Sequence, residues 1–297
     1  MALQSPDSLM FDAMGNVVYT AINAGTVHSY NPNTLVDSVI SSGLSSPADV
    51  ALEPGGNTML VSEFNGGKID RIDLTTHVRT TLYSAPGTNP EGTAFDGAGN
   101  LFANLGVRGS PGSSGKYVAK INPLTGAILG QTINLPGLDG LTYDSYSHML
   151  FAASLYNVTG TTGTVYQIDP NNLNNVVDLG QTHGWNIPRA DGITSDGSGH
   201  IFVASAPGLP GDGHVYDINL MNGTLTKGAF VSPYLDDLAP ASGLGAPKGE
   251  PFPAQQCCGA KPHFEDPAYA NVFTGQVAGR DMLLGHWNGR SASRGGS

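Results

Sequence analysis

Six segments of this chain open on one short pattern, and a carboxylate holds the same place in five of them. The segments begin SPDSLMFDAMGN, SPADVALEPGGN, NPEGTAFDGAGN, GLDGLTYDSYSH, RADGITSDGSGH and YLDDLAPASGLG. The shared column reads Asp7, Ala48, Glu91, Asp139, Asp191 and Asp236. Its spacing of roughly 40–50 residues marks a chain of stacked supersecondary units, none of which buries its apolar faces alone. An acidic column carried on such a repeat closes into a ring of charge, so a cation is the first ligand to consider.

Each unit reads as short strands. Leu9-Met10-Phe11, a turn Asp12-Ala13-Met14-Gly15-Asn16 and Val17-Val18-Tyr19 recur as Thr93-Ala94-Phe95, Asp96 to Asn100 and Leu101-Phe102-Ala103. Apolar and β-branched runs split by Asp/Gly/Asn clusters are strand, hairpin, strand. A third, alternating run follows, such as Thr164-Val165-Tyr166-Gln167-Ile168, and then a weaker fourth. No stretch carries a convincing helical period. Four antiparallel strands in each of about six units predict an all-β, six-bladed β-propeller, with the acidic column at the start of each innermost strand.

The repeat predicts one propeller domain over residues 1–245. Residues 246–297 form an irregular C-terminal segment. Within that segment, Asn271-Val272-Phe273 and Asp281-Met282-Leu283-Leu284 either close the last blade or belong to a foreign tail. A net charge of −11 with only 13 Lys+Arg argues against nucleic acid, which needs clustered cations. No apolar run approaches the ~18 residues of a membrane span. Low Lys with abundant Gly, Asn, Ser and Thr points to a secreted, periplasmic or extracellular protein. Asn157-Val158-Thr159 and Asn222-Gly223-Thr224 are glycosylation sequons. Cys257 and Cys258 are adjacent and are the only cysteines, so no disulfide framework exists. His263 near them completes no zinc pattern.

The in-phase set PEGTAFDGAGNLFAN, LDGLTYDSYSHMLFAAS and ADGITSDGSGHIFVAS resembles the inner hairpins of SMP-30/gluconolactonase-like six-bladed propellers and, more loosely, NHL repeats. The resemblance spans residues 5 to about 233. It implies a divalent metal, usually Ca2+, on the channel axis, held by residues of blades one, three, four and five with blade two skipped. Asp7, Glu91, Asp139 and Asp191 occupy those blades, and Ala48 occupies the skipped one. The family commonly has Glu in the first of these places and Asn in the next two. Here Asp7, Glu91 and Asp139 stand there, and Asp236 adds a fifth carboxylate. The resemblance implies a metal-dependent hydrolase of lactone or ester substrates, with Asp191 as both ligand and base. The competing expectation is a non-enzymatic exported propeller that binds a protein or glycan, its acidic ring or metal being structural.

His183, in the connection between blades four and five, is a second candidate for catalysis, because imidazole titrates near neutral pH. Asn104, Ser62-Glu63, Ser154 and Ser205 end the second strands and are candidates for the channel mouth. Arg189 precedes Asp191, and Arg108 lies in a Gly/Ser/Pro-rich insertion. Asp12, Glu53, Asp96, Asp144 and Asp196 sit inside the hairpins and are expected to bond their own turns. No Gly-x-Ser-x-Gly elbow is present. The His-x-His type motif expected of the streptogramin lyases, which are also propellers, is absent too.

Overall fold

The computed structural model describes residues 6–107, 117–156, 162–206, 213–231 and 235–240, and the backbone of 272–277 and 280–286. Blade one comprises β1 (Pro6–Phe11), β2 (Val17–Ala21), β3 (Thr26–Asn31) and β4 (Val36–Ser42). Blade two comprises β5 (Pro47–Leu52), β6 (Thr58–Glu63), β7 (Lys68–Asp73) and β8 (Arg79–Ser84). Blade three comprises β9 (Thr88–Phe95), β10 (Leu101–Val107), β11 (Tyr117–Ile121) and β12 (Ile128–Gln131). Blade four comprises β13 (Leu138–Asp144), β14 (Met149–Ser154), β15 (Thr164–Asp169) and β16 (Asn172–Asp178). A five-residue helix, α1 (Leu179–His183), leads to blade five: β17 (Ala190–Ser195), β18 (His200–Ser205), β19 (His214–Asn219) and β20 (Thr224–Phe230). All five sheets are antiparallel meanders of four strands.

The expected sixth four-stranded blade is a correction. Among the described residues there are five such blades, and the sixth unit is a three-stranded sheet of order β21-β23-β22, built from β21 (Leu235–Pro240), β22 (Val272–Val277) and β23 (Arg280–His286). Both segments considered for closing the ring therefore pair with the sixth unit. Cys257, Cys258, His263, Arg108, Asn157 and the connecting residues 241–271 lie outside the described residues.

The inner strands β1, β5, β9, β13, β17 and β21 pack each against the next, and β21 packs against β1. The ring is closed. The fold is a β-propeller.

Strand alternation explains the core. Successive side chains of a strand point to opposite faces of its sheet, and each face meets a different neighbour. Leu101 and Ala103 of β10 join the cluster shared with blade two, whereas Phe102 joins the one shared with blade four. In β18, Ile201 and Val203 face blade four while Phe202 and Ala204 face the sixth unit. Among the described residues six apolar clusters result, one at each junction of the ring.

The hairpins carry the expected turn chemistry. Asp12 Oδ1 accepts the N–H groups of Met14 and Asn16 at 2.8 Å, and Gly15 supplies a φ of 81°. Asp96 does the same for Ala98 and Asn100. Asp196 accepts from Ser198. Two turn acids reach further. Glu53 holds Arg71 through two bonds of 2.6 and 2.7 Å, and Asp144 accepts Ser195 Oγ of the next blade. Helix α1 was not foreseen, because five residues are too few to show a period. Asp178 caps its start by accepting Gln181 N–H, and Gly184 ends it in the left-handed conformation.

Candidate functional site: an acidic chamber on the propeller axis

Every inner strand carries one extra residue at the acidic column. In blade one Pro6 pairs with Ala21 and Leu9 with Tyr19, so three steps oppose two. The same offset lies between Leu138 and Leu141, between Ala190 and Ile193, between Leu235 and Leu238, and opposite Ala103 and Leu105. Blade two shows it between Pro47 and Asp49. A bulge of this kind re-aims side chains and breaks strict alternation. Two consecutive residues from each strand therefore face the axis, where a regular strand would offer one.

The outcome is a cavity of about 50 Å³, room for an ion or a few waters. Asp7, Glu91, Asp139, Asp191 and Asp236 all line it, with Ala48 at blade two. The next residue of each strand lines it too: Ser8, Asp49, Gly92, Gly140, Gly192 and Asp237. Asp49 and Asp237 are thus two further acids of the site that the repeat column missed.

This second layer joins the units, and it does so in two ways. At three junctions a side chain bridges. Asp237 Oδ2 accepts Leu9 N–H at 3.1 Å, joining the last unit to the first. Ser8 Oγ donates to Asp49 Oδ1 at 2.9 Å. Asp49 Oδ2 accepts both the N–H and the hydroxyl of Thr93 at 2.6 Å. At the other three junctions glycine lets backbones touch. A Cβ on Gly92 would stand 2.5 Å from Leu141 N, one on Gly140 2.7 Å from Asp191 O, and one on Gly192 2.5 Å from Asp236 O.

Electrostatics follow from enclosure. Burial pushes the Asp236 carboxyl well above the usual carboxylate range, and the charge of Asp7 pushes it further. Asp236 is hydrogen-bonded to both Asp191 and Asp7 and also feels Asp139. These acids from three inner strands are in direct contact, and the cluster favours holding a proton. Burial likewise raises Asp49, against the hydrogen bonds from Thr93 and Ser8. Burial and then the charge of Asp49 push Asp237 up to about 7, opposed by the Leu238, Leu9 and Ser8 bonds.

Asp237 supplies a pH test. Its folded pKa lies above the unfolded value of about 3.9, so the folded state binds the proton more tightly. Its contribution to stability is complete below about pH 4 and is lost as pH rises through about 7. Urea unfolding between pH 4 and 7 should show Asp237→Asn removing a linkage slope of roughly one proton. Parallel wild-type and variant curves across that window would refute the assignment.

Other candidates fall elsewhere. His183 is exposed, stacks on Trp185 at 4.2 Å, and is not among the chamber residues. Asn104 is fully buried. Its amide donates to the carbonyls of Asp139 (2.5 Å) and Gly140 (3.2 Å), so it clamps the neighbouring inner strand and does not face the channel. Ser154 Oγ lies 2.6 Å from the carbonyls of both Pro136 and Tyr156, to which its one hydroxyl proton can donate. Glu63 Oε2 accepts Ser45 N–H at 2.5 Å. Arg189 holds a left-handed φ of 46° just before β17.

The donors of the chamber are oxygens, the set that hard cations such as Ca2+ take in shells of about six to eight. As arranged, no three His, Cys, Asp or Glu among the described residues surround a common point at metal-holding geometry. Asp236 instead bonds Asp191 and Asp7. Donor chemistry fits a divalent cation, with the proton of the cluster as its competitor.

No family model matches the sequence, and no curated protein does. Solved structures share the fold. The calcium-binding protein regucalcin of Agrobacterium tumefaciens is 14% identical with a TM-score of 0.58, over 78% of this chain and 80% of that one. Virginiamycin B lyase of Staphylococcus aureus is 16% identical with a TM-score of 0.56, over 79% and 74%. A chain of a nidogen/laminin complex is 19% identical with a TM-score of 0.58, over 74% and 78%. At these identities the likeness is one of fold alone. Among the described residues no helix is long and apolar enough to cross a membrane.

Proposed function

We propose that the axial chamber is a divalent-cation site, with Ca2+ the first candidate, and that it serves hydrolysis of a lactone or related ester in an exported protein. The observation that carries this reading is the meeting of five carboxylates from five inner strands in one cavity of about 50 Å³. Such a cavity suits an ion better than an organic molecule. Asp7, Glu91, Asp139, Asp191 and Asp236 would hold the cation, and Ala48 leaves a gap between them. A bound cation would polarise a carbonyl as a Lewis acid. Asp191, bonded to Asp236, would take the proton of an attacking water. His183 lies away from the chamber lining, which leaves the base role to the carboxylates.

A second reading is supported by the same small volume. An ion enclosed by five acids would act as a structural axle, and the propeller would bind a protein or glycan elsewhere on its surface.

Thermal unfolding of EDTA-stripped protein with and without Ca2+ tests the site. A ligand of the folded state at a hundredfold excess over its Kd should add about 2.7 kcal/mol. Asp191→Asn should weaken that shift and lower any lactone or ester turnover. A shift without turnover favours the structural ion. No shift in either protein ends the cation reading.

A further inference from the structure

We propose that the rim of the chamber has one apolar sector, made by Ile22 and Phe64 beside Ala48, and that an organic substrate too large for the cavity rests on this rim, which selects lactones or esters bearing an alkyl or aryl group over polyhydroxylated ones. The proposal rests on the hydrolase reading above. Ile22 and Phe64 line the same cavity as the acids. Ile22 follows Ala21, which pairs with Pro6, and Phe64 follows Glu63, which pairs with Pro47. Both therefore stand one step beyond the inner-strand starts, on the rim side of the carboxylate layer. Both belong to the side of the ring where blade two supplies Ala48 instead of an acid. The gap in the ring and the apolar wall coincide.

Among the described residues the wall is one-sided. The equivalent positions in blades three, four and five are Gly106, Leu155 and Ala206, all buried and none lining the chamber. Phe64 is also held in place. Its N–H donates to Ser46 O at 2.9 Å, and its carbonyl accepts Asn89 Nδ2 at 2.9 Å. Ser46 sits in the left-handed region at φ 56°, just before β5. Ile22 and Phe64 are both half-buried. A ligand whose carbonyl points at the acids can lay an apolar group over them and remove that surface from water. A polyhydroxylated ring would leave its hydroxyls against carbon on this side, without partners.

The test compares turnover of γ-lactones of increasing alkyl length with glucono-1,5-lactone, in calcium-loaded wild type, Phe64→Ser, Phe64→Leu and Ile22→Ala. Binding of an alkyl lactam, which is not hydrolysed, is followed by calorimetry alongside. Expected are higher kcat/KM with longer alkyl groups and a loss of about tenfold for alkyl lactones in Phe64→Ser. Lactam affinity should fall in parallel, and the calcium-induced thermal shift should stay intact. Phe64→Leu should retain most of the preference, which separates lost apolar contact from a damaged fold. An intact calcium shift with a preference for the sugar lactone, or with equal losses for both substrates, overturns the apolar sector alone. Absence of both the calcium shift and all turnover overturns it together with the hydrolase reading.

Discussion

Gly92→Ala is expected to destabilise the protein by about 3 kcal/mol, at the upper end of overpacking effects. The added Cβ would sit 2.5 Å from Leu141 N and 2.6 Å from Asp139 O. Both are backbone atoms of the next inner strand, so neither can rotate away. The only relief is to push blades three and four apart at the axis, which also displaces Asp139 from the chamber. Gly99→Ala is the control. Its φ of 82° is unfavourable, but nothing lies within 4 Å of its Cβ, so only backbone strain of about 1 kcal/mol is expected. Urea unfolding should show a much lower midpoint for Gly92→Ala than for Gly99→Ala, with unchanged m values. Equal midpoints would mean that the glycine layer does not set the packing of the ring.

Asp236→Asn should separate the two states of the chamber. Burial and the Asp7 charge oppose ionisation of Asp236. Its stabilising contribution is therefore present below the unfolded pKa and lost as pH rises through its raised folded value. An amide never ionises and can still donate to Asp7 or Asp191. The cation-free variant should be more stable than wild type at pH 8 and show a flatter pH profile. With one carboxylate fewer, its Ca2+ affinity should fall about tenfold or more, since charge count tunes such sites. Calcium titration by calorimetry and thermal unfolding at pH 5 and 8 measure both effects. Unaltered affinity together with an unaltered pH profile would remove Asp236 from the site.

Much of this was legible in the chain. The acidic column, the hairpin turns at Asp12, Asp96 and Asp196, and the four-strand unit are local, because each depends on side chains a few residues apart. The second layer was visible only as the next letter of the same alignment: Ser8, Asp49, Gly92, Gly140, Gly192, Asp237. Strand alternation sends that letter away from the axis, and the bulges that bring it back leave no mark of their own in composition. For the sixth unit the sequence named both closing segments, yet it left them as one of two alternatives and overstated the strand count, for a related reason. Its strands β22 and β23 lie some thirty residues beyond β21, so their pairing is not a matter of local sequence. His183 has a suitable imidazole, but helix α1 and the Trp185 stack set its direction.

The sequence alone determined that this chain is a ring of repeated sheets carrying acids at one end of each inner strand, because period and turn chemistry are short-range. Tertiary structure alone decided which acids touch, where glycine replaces a bridging side chain, and where the ring is apolar. Those outcomes depend on ångström-scale distances between strands tens of residues apart, or more than two hundred where Asp237 meets Leu9.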